Sequence, residues 1–66
     1  MKTYRYNEDL RPEDGTYHVA YYKGVPVGLC VYGKDNNGES LYFIGAEEIE
    51  EWDPETVLLE LPRAHF

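Results

Sequence analysis

Polar and apolar positions alternate with a period of two through the middle of the chain, the pattern of half-buried strands. From Thr16 to Lys23, Tyr17, Val19 and Tyr21 share one face, and His18, Ala20 and Tyr22 share the other. Lys23-Gly24-Val25-Pro26 interrupts this run, and Val27 to Tyr32 resumes it with Val27, Leu29 and Val31 on one face. Gly28 and Cys30 on the opposite face are small, which implies close packing there. Two such runs joined by a short glycine-containing link predict a β-hairpin. Asn37-Gly38 predicts a second tight turn, since Asn-Gly pairs supply positive φ angles. Ser40 to Ile44 is then a third strand of a meander. Thr3 to Tyr6 alternates and reads as a first strand, and Asn7 to Gly15 as a polar loop.

Beyond Gly45 the period changes. Ala46, Ile49 and Trp52 or Asp53 recur at three- to four-residue spacing, with Glu47, Glu48, Glu50 and Glu51 pointing elsewhere. That spacing predicts a short acidic helix with Ala46, Ile49 and Trp52 inward, ended by the Asp53-Pro54 pair. Val57 to Leu61 is a closing strand, with Val57, Leu59 and Leu61 inward and Glu60 outward. The expected fold class is α+β, mostly β, in the order β-β-β-β-α-β. It is a bent antiparallel sheet of four to five strands with one short acidic helix, for which an SH3-like barrel is one closure. Sixty-six residues make a single domain, 1–66, with a small core.

Charge changes the picture most. The formal net charge is −7. Asp35 to Pro62 holds nine acids and no lysine or arginine, whereas the remainder holds four acids and six bases. Glu47, Glu48, Glu50, Glu51, Asp53 and Glu55 concentrate that excess. A chain this acidic is repelled by nucleic acid and by anionic membranes, so neither is an expected direct partner. A basic protein surface is. On a helix these six charges would fall about 2 Å apart along the axis, close to the charge density of duplex DNA. The competing account is solubility alone.

Candidate chemistry adds little. Cys30 is the lone cysteine, which excludes an internal disulfide and fits a reducing, cytoplasmic setting. His18 lies near it on the neighbouring predicted strand, yet nothing supplies the basic setting of a reactive thiolate, so Cys30 reads as an inert core residue. Asp35-Asn36-Asn37-Gly38-Glu39 has the wrong glycine position for a calcium loop. No metal, cofactor or enzymatic activity is expected. The N-terminal stretch has no apolar run behind its charges, and no apolar stretch approaches the length of a membrane span. Tyr22 and Tyr32 fall opposite the apolar stripes of their strands and are expected at the surface, where tyrosines serve as contact residues.

Two resemblances follow from these residues. Gly24-Val25-Pro26-Val27-Gly28-Leu29-Cys30-Val31-Tyr32, then Tyr42-Phe43-Ile44, Ala46-Glu47-Glu48-Ile49 and Thr56-Val57-Leu58-Leu59, resemble the strand order of PRC-barrel and related SH3-like domains, with Ile44-Gly45 where those domains carry Pro-Trp. This implies a structural or adaptor module using Tyr22, Tyr32 and their neighbours. The small, acidic, single-domain chain also resembles the phage-encoded anti-CRISPR inhibitors. That resemblance implies mimicry of DNA charge by Glu47, Glu48, Glu50, Glu51, Asp53 and Glu55. The target would be the basic groove of a CRISPR effector or another nucleic-acid-binding protein.

Overall fold

The computed structural model describes residues 2–62. They form one six-stranded antiparallel sheet: β1 (Thr3–Arg5), β2 (Tyr17–Tyr22), β3 (Val25–Asp35), β4 (Gly38–Phe43), β5 (Ile49–Glu51) and β6 (Thr56–Glu60). The strand order is β1-β6-β2-β3-β4-β5. The chain meanders from β2 to β5, then returns so that β6 adds to the far side of β2 and β1 adds to β6.

Two hairpins set the register. Lys23 and Gly24 both have positive φ, 50° and 81°, the primed turn that matches strand twist. At the β3–β4 turn the asparagines do not take positive φ; Gly38 does, at 125°. Asp35 Oδ1 accepts a hydrogen bond from the Asn37 amide at 2.8 Å, which makes this loop a side-chain-stabilised turn.

The return from β5 to β6 forces the sheet to coil. Laid flat, β5 and β6 would stand four strand spacings apart, about 19 Å. The connection between Glu51 and Thr56 contains a turn in which the Thr56 amide donates to Asp53 O at 2.9 Å, so it cannot stretch that far. The sheet therefore wraps round a concave inner face. Tyr4, Ala20, Cys30, Tyr32, Leu41, Trp52 and Leu58 are buried there, together with Thr16, His18 and Thr56.

The acidic helix is absent, which corrects the expected α+β class: the described residues are all-β. Phe43 to Ala46 is occupied by a turn, with the Ala46 amide donating to Phe43 O at 3.1 Å and Gly45 at φ 91°. Too few residues then remain before Pro54 for a helix that is stable in water, and their like charges offer no supporting pairs. Pairing with β4 satisfies the backbone instead, as Ser40↔Glu51, Leu41↔Glu50 and Tyr42↔Ile49. Of the three residues assigned to an inward stripe, Trp52 is buried, whereas Ala46 and Ile49 are exposed.

The faces of the strands are also reversed from expectation. Leu58 is buried, while Val57, Leu59 and Leu61 are only partly covered and Glu60 shares the His18 side. Likewise Ala20, Cys30 and Tyr32 face inward, and Tyr17, Val27 and Leu29 face out. Tyr32 is 1% exposed, not a surface contact, whereas Tyr22 is exposed as expected. The inward stripes of β2 and β3 mix small residues, Ala20, Gly28 and Cys30, with the buried rings of His18 and Tyr32.

Candidate functional site

The inner face closes with a knot of polar and aromatic groups. Arg11, from the loop between β1 and β2, donates from Nη2 to the carbonyls of Arg5 (2.6 Å), Tyr6 (3.0 Å) and Glu8 (2.5 Å). Its Nη1 reaches both carboxylate oxygens of Glu39, at 3.1 and 3.3 Å. The guanidinium carbon stands 4.6 Å from the centre of the Trp52 ring. Tyr32 completes the knot, its hydroxyl donating to Glu39 Oε2 at 2.5 Å. Burial first, and then the Glu39 carboxylate, push the Tyr32 phenol well above its ordinary pKa. Beneath lie edge-on ring contacts linking Tyr6, Trp52, Tyr32, His18 and Tyr4.

Cys30 is fully buried, and burial pushes its thiol up to about 11. It pairs in register with His18, also fully buried. Thr16 Oγ1 donates to Glu13 O at 2.6 Å, so it accepts from His18 Nε2 at 2.7 Å. That fixes the tautomer with the proton on Nε2 and leaves Nδ1 buried without a partner. Desolvation lowers the His18 pKa, opposed by the nearby charge of Glu60. A protonated thiol beside a neutral imidazole is core, not an activated pair.

The six carboxylates singled out in sequence flank Trp52 of the knot, on and beside the edge strand. Glu50 and Glu51 are on β5, the edge strand; Glu47 and Glu48 precede it; Asp53 and Glu55 sit in the turn into β6. All six are exposed, and among the described residues none forms an ion pair, the two pairs being Arg5–Glu8 and Arg11–Glu39. Asp53 Oδ1 accepts the Glu55 amide at 2.8 Å. The strand spaces these charges more widely than a helix would, at about 3.3 Å of rise per residue, and turns Glu50 and Glu51 to opposite faces. The close match to duplex charge density therefore falls away. What remains is an acidic edge whose charges also discourage another strand from adding to it.

Sequence reasoning missed the outer face. Tyr17, Val31, Tyr42 and Ile49 are register partners in one row across four strands, and Leu59, Val19 and Leu29 form a second. Tyr17, Leu29, Tyr42 and Ile49 are each more than one-third exposed. The signal was visible in the larger apolar stripes of β2, β3 and β6, which alternation alone places in the interior. Compared with known proteins, the chain matches no family model, no curated protein and no solved structure. Among the described residues no helix is long and apolar enough to cross a membrane.

Proposed function

We propose that this is a non-enzymatic binding protein that occupies a basic, nucleic-acid-binding surface of a protein partner, in the manner of anti-CRISPR-like inhibitors. The observation that carries the reading is the acidic edge. Six carboxylates from Glu47 to Glu55 are exposed and lack ion-pair partners among the described residues, whose two arginines, Arg5 and Arg11, pair with other acids. Uncompensated like charge costs a small domain stability, and a basic partner recovers it. Replacing Glu47, Glu48, Glu50 and Glu51 together with glutamine tests this. Salt-sensitive capture of basic proteins, and displacement of duplex DNA from them, should both be lost in the variant.

A second reading is an adaptor module, and the apolar row Tyr17–Val31–Tyr42–Ile49 favours it. Its contact face would be that row and not Tyr32, which is buried. Capture that tolerates salt, survives the glutamine variant and disappears with Tyr42→Ser would select this reading over the first.

A further inference from the structure

Part of the acidic edge borders a cleft of about 550 Å³. Tyr22 and Phe43 line it together with Glu50 and Asp53. Gly28 keeps the space open: a side chain there would bring a carbon within 3.3 Å of the Phe43 ring. Glu50 pairs with Leu41, a core residue, so it stands on the concave side of β5. Asp53 is fixed by the bond from the Glu55 amide to Oδ1, leaving Oδ2 for another donor. Neither carboxylate is ion-paired among the described residues. The Tyr22 ring already receives a cation, Lys23 Nζ, at 5.4 Å from its centre.

Aromatic walls with two free carboxylates at the mouth complement a side chain with an apolar stem and a planar, forked cation. We propose that this cleft seats an arginine side chain of a basic partner. The guanidinium stacks against Tyr22 and Phe43 and donates to Glu50 and to Asp53 Oδ2. The inference rests on the reading of a basic partner given above and names where that partner is gripped.

The test is an amide-resolved NMR titration of the labelled protein with N-acetyl-arginine N-methylamide, its lysine and citrulline counterparts, and an arginine nonapeptide. The arginine compound should shift the amides of Gly28, Ile44, Ala46, Glu50 and Asp53, and citrulline should not. Glu50→Gln and Asp53→Asn, the latter keeping the Oδ1 acceptor, should each weaken binding about tenfold, the equivalent of one charge-assisted contact. Glu47→Gln, which does not line the cleft, should change it by less than about twofold, because an exposed charge outside the direct contact is largely screened. Equal responses to lysine and arginine, or equal losses in Glu47→Gln and Glu50→Gln, overturn the assignment. Peptide binding confined to Glu47, Glu48 and Glu51 also overturns it while leaving the basic-partner reading standing. No peptide binding at low salt defeats both.

Discussion

Two acidic regions of this molecule use the same side chain in opposite ways. Glu39, on β4, is largely covered and accepts from both Arg11 and Tyr32. Glu50, one strand away on β5, is exposed and accepts from no described residue. Glu39 holds together a loop, two strands and the Trp52 ring. The edge carboxylates hold nothing inside the domain. The contrast shows that charge count is uninformative about role until partners are known. In a chain of net charge −7, Arg11 ties three backbone carbonyls and Glu39 together.

The comparison can be broken hardest at the knot. Trp52 is 3% exposed and donates from Nε1 to Thr56 O at 2.9 Å. Trp52→Ala should cost about 3–5 kcal/mol, enough to unfold so small a domain, and thermal melting by circular dichroism reads this directly. Arg11→Ala removes one donor from three carbonyls and from Glu39, which keeps only Tyr32. Because the pair is partly solvated, the loss should be smaller, about 3 kcal/mol. Arg11→Lys should recover little of it, since an ammonium cannot fork to Glu39 and the carbonyls together. A chemical denaturation series that ranked Arg11→Ala with surface substitutions would dissolve the distinction between the two regions.

A milder probe substitutes both acids identically. Glu39→Gln turns an amide donor toward either Arg11 or Tyr32, and should cost about 1–3 kcal/mol. Glu50→Gln should leave the melting temperature unchanged within error. Equal effects at the two positions would mean that Glu39 is not the acceptor described.

His18 adds a pH test of the core beneath the knot. Burial holds its folded pKa below the ordinary value of 6.5, so the unfolded state binds the proton more readily than the folded state. Its contribution to stability is present above pH 6.5 and is lost as pH falls through the folded value. Stability should fall as pH drops from 6.5 toward the folded value, with a slope of at most about 1.4 kcal/mol per pH unit, and His18→Leu should flatten it. A slope unchanged in His18→Leu would place the titrating group elsewhere.

The smallest stability effect belongs to the edge. Changing Glu47, Glu48, Glu50 and Glu51 to glutamine should raise stability by a few tenths of a kcal/mol at most, through relief of repulsion. The effect should shrink further in salt. A loss of more than about 1 kcal/mol would mean that these groups serve the fold after all.

What the sequence determined by itself was local. Alternation placed β2, β3, β4 and β6, Lys23-Gly24 and Gly38 placed the turns, and the single cysteine excluded a disulfide. The acidic segment was legible as a segment because charge needs no fold to be counted. Its shape was not, since three-residue spacing at Ala46, Ile49 and Trp52 suits a helix stripe as well as a turn, an edge strand and one buried ring. Pairing with β4 decided between them. Which face of each strand points inward was likewise a tertiary matter. Both stripes of β2 and β3 are apolar enough to be buried, and the curvature of the sheet chose between them. The Arg11–Glu39–Trp52 knot joins residues far apart in the chain, and no local pattern could foretell it. Only the fold brings a loop, a hairpin and an edge together.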